Sequence, residues 1–304
     1  MRVTPISLVV AVALLVPSTA ATASEGGSFS ILQPTFVDTT RSTPASGSRA
    51  ETTSRALETT IYVPSGRGRR PLIVFAHGSD GHPDKFTKLL SAWAEAGYIV
   101  AAPAFPLTNA TVPRADQSIS DVASQPGDLS FVLSEVLGLA RDRKSPLYRR
   151  IDRKAIGVGG LSLGGATTYG AVFTDCCGDE RFVAAAVLDG LMLSVGDDAA
   201  TGQPVLDGRV PLLVVHSDTD PALPYSLATA AVESAAPPVW FVTLHGASHA
   251  SQFEDDVTDY DAIGEQITID FWDATLKGRR AALRRLERDA TVEGLSSIEV
   301  KPQP

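Results

Sequence analysis

Ala155-Ile156-Gly157-Val158-Gly159-Gly160-Leu161-Ser162-Leu163-Gly164-Gly165 is the stretch on which the reading of this 304-residue chain turns. Its first half, Ala155 to Gly159, is small, apolar and uncharged, the texture of a strand buried on both faces of a parallel sheet. Leu163–Phe173 then has the texture of a helix, so Gly160-Leu161-Ser162-Leu163-Gly164 is a G-x-S-x-G motif between a strand and a helix. Such a sharp turn forces the serine into a strained backbone conformation with its hydroxyl projecting, and a side chain at either flanking glycine collides with the neighbouring strand or helix. The helix N-terminus that follows favours negative charge developing beside the serine. Ser162 is therefore a candidate nucleophile.

Outward from this motif the pattern repeats. Leu72–Ala76, Tyr98–Ala102, Ala184–Leu188, Leu212–Val215 and Val239–Leu244 are further short apolar runs. Phe86–Ala96, Leu129–Arg141 and Ser226–Ser234 alternate with them as crossover helices. Repeated strand–helix alternation predicts one doubly wound α/β domain with a mostly parallel sheet flanked by helices. A last helix is expected from Ala262 to about Glu287, interrupted in texture by Gly264 and Gly278. The arginines at its end, Arg279, Arg280, Arg284, Arg285 and Arg288, suit a helix C-terminus and read as a solvated face. The expected organisation is a signal peptide over 1–23, a flexible Ser/Thr/Ala-rich lead-in over 24–55, a catalytic domain over 56–290 and a C-terminal tail over 291–304. No internal repeat or domain-sized linker interrupts it.

A serine hydroxyl needs a positioned base, which in turn needs an orienting acid. In the strand–turn–helix arrangement the order along the chain is serine, acid, histidine. Of the five histidines, His77 and His82 precede Ser162, and His216 precedes the best acid candidates. His245 and His249 both follow the last strand. His249 has the small residues Gly246-Ala247-Ser248 before it, which let an imidazole reach across the sheet top, while His245 remains a competitor. For the acid, Asp218 and Asp220 lie just after the strand Leu212–Val215, and Asp189 ends the preceding one. Asp220 leads a rigid Pro221-Ala222-Leu223-Pro224 loop, and Asp218 suits a role fixing that loop through backbone amides. An oxyanion needs two amide donors. Leu163 supplies one, and the glycine-rich His77-Gly78-Ser79-Asp80-Gly81 loop offers the other at Ser79, with His77 structural.

Composition narrows the setting. A 44% hydrophobic and 20% charged content is that of an ordinary globular protein. A formal charge of −9 argues against a nucleic-acid partner. Arg2, the apolar run Ile6–Val16 and the small residues Ala21-Thr22-Ala23 read as a cleaved export signal, the run being too short to span a bilayer comfortably, with an uncleaved anchor as the alternative; the expected location is extracytoplasmic. Cys176 and Cys177 are the only cysteines. They staple no distant segments, and they can close a vicinal disulfide or stand as two thiols. No second cysteine pair completes a zinc site. The run Phe253–Asp261 contains Glu254, Asp255, Asp256 and Asp259, which reads as a solvated acidic loop rather than a calcium site.

Taken together, His77-Gly78-Ser79, Gly160-Leu161-Ser162-Leu163-Gly164, Asp218-Thr219-Asp220 and Gly246-Ala247-Ser248-His249 resemble the dienelactone-hydrolase-like branch of the α/β hydrolases. Within it the chain is similar to bacterial platelet-activating-factor-acetylhydrolase-like esterases and, more distantly, to secreted cutinases and polyester hydrolases. The resemblance spans roughly residues 59–280. It implies the α/β-hydrolase fold, Asp220 as acid, His249 rather than His245 as base, and oxyanion amides at Ser79 and Leu163. Two departures stand out. Dienelactone hydrolases proper carry a cysteine where this chain has Ser162, and cutinase-like enzymes place a tryptophan where it has Asp189-Gly190-Leu191-Met192.

The expectation is a secreted serine hydrolase acting on a small-molecule or lipid-like carboxylic ester, with no metal or organic cofactor. Phe105, Leu107, Leu191 and Met192 are candidates for an apolar acyl pocket. An acyltransferase on the same triad, a polyester depolymerase, a peptidase and a non-catalytic binding protein are the competing readings. Acyl acceptor preference, amide substrates and labelling of Ser162 discriminate among them.

Overall fold

Strands that are apolar on both faces need helices on both sides, and the computed structural model has that layered arrangement. It describes residues 22–23, 28–196, 198 and 201–302. The apolar core of the predicted export signal lies outside the described residues. In chain order the elements are β1 (Thr22–Ala23), β2 (Phe29–Leu32), β3 (Thr35–Asp38), β4 (Arg55–Pro64), β5 (Arg70–Ala76), α1 (Thr87–Glu95), β6 (Ile99–Pro103), α2 (Gln125–Leu139), β7 (Ile151–Leu161) and α3 (Leu163–Phe173). They continue with β8 (Ala184–Leu188), β9 (Leu212–Ser217), α4 (Tyr225–Ser234), β10 (Val239–Leu244), α5 (Asp261–Thr275), α6 (Ala281–Asp289) and β11 (Ser296–Lys301).

The sheet runs β1-β2-β4-β6-β5-β7-β8-β9-β10-β11, with β3 paired to β4 at the side. Its centre from β6 to β10 is parallel. The flanking pairs β1/β2, β2/β4, β4/β6 and β10/β11 are antiparallel. Alternate residues of β5 show how the sheet is clothed: Leu72, Val74 and Ala76 join the core with α2, α3 and α4. Ile73 and Phe75 join the opposite core with α1, α5 and α6. Trp93 and Trp272 anchor that second layer, and a Cβ on Gly157 would come within 2.8 Å of the Trp272 ring. Among the described residues no helix is long and apolar enough to cross a membrane.

Three expectations are corrected. The lead-in is structured from Phe29 onward: β2 and β3 pair with β4, and Phe36 is buried among the core residues. Its apolar residues are few but alternate, which suits strands at the periphery of the sheet. The C-terminal residues are likewise not a tail, because β11 pairs with β10 along Ser296–Lys301 and lays Ile298 and Val300 on the core. That strand covers what would otherwise be an open sheet edge. The last helix is two: α5 stops at Thr275 and α6 starts at Ala281, with Gly278 between them at φ +65°. A left-handed glycine just past a helix end is the usual terminator.

One buried ionic cluster ties the N-terminal strands to the helical layer. Arg55 on β4 is fully buried and donates to Asp128 at 2.8 and 2.6 Å and to Asp121 at 2.9 and 3.2 Å. Arg41 adds a second cation on Asp128 at 2.9 Å. Arg55→Ala leaves buried Asp121 without a cation and Asp128 with Arg41 alone, and breaking such a buried pair costs about 3–5 kcal/mol. Chemical denaturation is expected to show a loss of that order, and an unchanged midpoint would contradict it.

Candidate active site

The strand order reverses at β5: the chain moves from β5 to β6 on one side and later to β7 on the other. At such a switch point the outgoing loops diverge and leave a crevice at the carboxyl ends of the strands. The two loops that meet there are His77-Gly78-Ser79, leaving β5, and Ser162, leaving β7.

Ser162 sits at φ +55°, ψ −115°, a strained conformation for a residue with a side chain. Its N–H donates to Leu188 O at 2.9 Å, tying the turn to β8. The flanking glycines are sterically required. A Cβ on Gly160 would lie 2.3 Å from Gly164 O, and one on Gly164 would lie 2.1 Å from Ala76 O.

The Ser162 hydroxyl lies 2.8 Å from His249 Nε2, and His249 Nδ1 lies 2.6 Å from Asp220 Oδ2. The other Asp220 oxygen accepts the N–H groups of Ala222 and Leu223 at 2.7 and 2.8 Å, so the proline-flanked loop holds the carboxylate still. His245 is engaged elsewhere. Its ring nitrogens meet Asp218 at 2.8 Å and Ser297 on β11 at 2.9 Å, and Asp218 also accepts Gly246 N–H at 2.8 Å. The two Asp/His pairs of the sequence are thus sorted: Asp218 and His245 fasten the loop, and Asp220 and His249 reach Ser162.

Asp189 takes neither role. It ends β8 at φ +41°, is fully buried, and accepts Ser217 N–H at 2.8 Å and the Gln252 amide at 2.5 Å. Burial pushes its carboxyl well above the usual carboxylate range, and the nearby Asp220 charge adds to this. Gln252, missed by the sequence reading, also donates to Ser248 O at 2.8 Å and accepts from the Ser248 hydroxyl at 3.0 Å. It clamps the loop that carries His249. A glutamine three residues past a histidine is too common a pattern to have pointed to it. His216 is buried behind the site, donating from Nε2 to Leu223 O at 3.0 Å. Asp189, His216 and Asp220 bring potential ligand atoms within 4.8 Å of one another. Both carboxylates and His216 Nε2 are nevertheless committed to the hydrogen bonds just described, a poor basis for holding a cation.

On the opposite wall, His77 is buried, with Nδ1–H donating to Gly78 O at 2.7 Å and Nε2 accepting Phe105 N–H at 3.0 Å. It therefore shapes the loop, and burial lowers its pKa to about 4. The Gly78 Cβ position is 3.1 Å from Ser162 Cβ, so the two loops touch at the serine. The Ser79 N–H has no acceptor among the described residues. Leu163 opens α3, where a backbone N–H lacks an intrahelical acceptor.

The pocket expectation is corrected in part. Phe105 and Leu107 are core residues at 0% and 2% exposure, because Phe105 packs under the His77 ring at 4.9 Å. Leu191 and Met192 are half-buried and follow β8 beside the Ser162 turn. Leu163 belongs to an apolar cluster with Val122, Ala166 and Val195, against which Leu193 packs. Cys176 and Cys177 form a vicinal disulfide. Its turn backs the Val195 loop: Cys176 N–H donates to Thr201 O at 3.1 Å, and a Cβ on Gly196 would lie 2.9 Å from Cys176 Sγ. The acidic loop is stitched to α1, with Asp255 accepting Lys88 N–H at 2.7 Å and Asp261 pairing with Lys88 Nζ at 2.6 Å.

No protein-family model matches the chain, and no curated protein matches it in sequence.

The buried His77 gives a pH signature. Its folded pKa of about 4 lies below the ordinary histidine value of 6.5, so the unfolded chain takes up the proton first on acidification. The stability it supports is present above pH 6.5 and is lost as the pH falls through about 4, by roughly 3 kcal/mol. The stability gap between the parent and His77→Gln is expected to narrow over that interval in denaturant titrations. A pH-independent gap would contradict the assignment.

Proposed function

We propose that this protein is a serine hydrolase of the α/β-hydrolase type that cleaves carboxylic esters. The observation that carries the reading is the unbroken chain Asp220–His249–Ser162, at 2.6 and 2.8 Å, ending on a strained serine between two sterically required glycines.

In this reading the Ser162 hydroxyl gives its proton to His249 Nε2 as Oγ bonds to the ester carbonyl carbon. Asp220 accepts the Nδ1–H bond, fixing the tautomer and stabilising the imidazolium. The N–H groups of Ser79 and Leu163 receive the oxyanion, aided by the N-terminus of α3. Collapse breaks the ester C–O bond, and the alcohol leaves with the proton from His249. Water then repeats the sequence on the acyl-enzyme. Half-buried Leu191, Met192 and Leu193 supply an apolar wall for the acyl group. Where cutinase-like enzymes place a tryptophan the chain has Asp189-Gly190-Leu191-Met192 and lacks that aromatic surface. That favours small or lipid-like esters over polymers. The export-signal pattern expected at residues 1–23 supports a reaction outside the cytoplasm.

Hydrolysis of p-nitrophenyl acetate, butyrate and a long-chain ester tests the reading. Ser162→Ala and His249→Ala are expected to lower kcat by at least about 10⁴-fold. His245→Gln, which breaks only the loop fastening, is expected to keep most of the activity. Equal losses at His245 and His249, or no activity in the folded parent, would overturn it.

Gln252→Ala separates positioning from chemistry. Freeing the loop that carries His249 is expected to lower kcat about 10- to 100-fold with little change in KM. Full activity in Gln252→Ala would contradict the clamp.

A further inference from the structure

The formal charge of −9 conceals a concentrated basic surface at the end of the sheet opposite Ser162. Arg67-Gly68-Arg69-Arg70 enters β5, and Arg141-Asp142-Arg143-Lys144-Ser145-Pro146-Leu147-Tyr148-Arg149-Arg150-Ile151-Asp152-Arg153-Lys154 runs from the end of α2 into β7. The two segments carry ten of the chain's 26 Lys and Arg residues and only two of its 35 Asp and Glu residues. The fold puts them side by side: Arg70 N–H donates to Arg150 O at 2.7 Å, and Arg70 pairs with Ile151 in the sheet. Between them lies a hollow of about 550 Å³, lined by Arg69, Arg141, Arg149, Arg153 and Lys154, with Asp152 as its one acid.

Elsewhere the cations are largely matched. Arg55, Lys88, Arg181, Lys277 and Arg285 each meet a carboxylate within 3.2 Å. In the basic segments, among the described residues, none of the ten does. The two acids present are spent on local turns, Asp142 accepting Lys144 N–H at 2.9 Å and Asp152 accepting Lys154 N–H at 3.1 Å. In the same segments the Nε atoms of Arg70 and Arg150 are buried without a hydrogen-bond partner, while Arg150 Nη2 donates to Pro64 O at 2.5 Å. Burial and the Arg70 charge together lower the Arg150 pKa. A solvated helix terminus accounts for Arg141 at most, since the helix dipole acts only within its last turn. Ten unpaired like charges in one place repel one another, a cost that an anionic partner removes.

The shape and chemistry select the partner. Eight of the ten cations are arginines, whose planar forks suit phosphate oxygens. None of the exposed large hydrophobic residues falls in the two segments, so nothing there inserts into a bilayer. A flat membrane also does not fill a hollow. A stiff duplex would extend past the patch onto a surface that holds nearly all the chain's carboxylates. We propose that this hollow is a docking site for a flexible, linear phosphate polyanion. It lies a strand length from the C-terminal ends of β5 and β7, roughly 20 Å at about 3.3 Å per residue. The bound protein therefore keeps its Ser162 crevice open to solvent, and the docking does not rest on the hydrolase reading.

Binding of long-chain inorganic polyphosphate to the full chain, followed by the intrinsic fluorescence or mobility of the protein, tests this. Affinity is expected to fall at least about tenfold between about 50 and 200 mM salt, as counterion release requires. The triple variant Arg69→Glu, Arg141→Glu, Arg153→Glu changes exposed side chains only. It is expected to bind at least 100-fold more weakly while its thermal unfolding stays at the parent temperature. Arg280→Glu with Arg284→Glu, at the N-cap and on the face of the separate basic helix α6, is expected to bind as the parent does. No binding by the parent at low salt, equal binding by the triple variant, or tighter binding to duplex DNA or to phosphatidylglycerol vesicles would overturn the proposal.

Discussion

The close approach of the β7–α3 turn to the end of β5 is the constraint on which the rest of the site depends. The Cβ positions of Gly160 and Gly164 fall within 2.3 Å of Gly164 O and Ala76 O, so only hydrogens fit there. That contact brings Ser162 against Gly78. It also holds Ser162 at a positive φ, a strain of order 1–3 kcal/mol that the surrounding strands must sustain. The buried strands and their two helical layers supply the rigidity this demands.

A second level of organisation holds the histidine. His249 stands on a loop, and loops are mobile unless fastened. Here three fastenings converge: Asp218 on Gly246 and His245, Tyr260 on His245 O at 2.6 Å, and Gln252 on Ser248 and buried Asp189. The carboxyl that fails to reach the histidine is thus not idle. Asp189 is an internal anchor whose burial disfavours charge, leaving Asp220 as the acid in contact with the imidazole.

Much of this was legible in the sequence because the relevant signals are local. The parallel strands were continuous apolar runs, and G-x-S-x-G declared its turn by glycine spacing. The arrangement of Ser162, Asp220 and His249 followed from their order together with a resemblance. What was not legible depends on distant pairing. β2, β3 and β11 are short peripheral strands whose meaning lies in the neighbour they cover, and the break at Gly278 was visible only as a weakness in a helical pattern. Phe105 looked available for a pocket because sequence does not reveal that His77 folds over it. Gln252 carries no motif. The basic hollow was hidden by the net charge, since Arg67–Arg70 and Arg141–Lys154 are some 70 residues apart and meet only through the pairing of β5 with β7.

The central claim is that Ser162 is an activated nucleophile rather than a serine in a glycine-rich turn. Treatment of the folded protein with a fluorophosphonate, followed by mass spectrometry of the intact chain and its peptides, tests this without a choice of substrate. The account predicts one adduct per chain, on the peptide containing Ser162, and none after unfolding in denaturant. A folded protein that takes no label, or takes it on another residue, would contradict it.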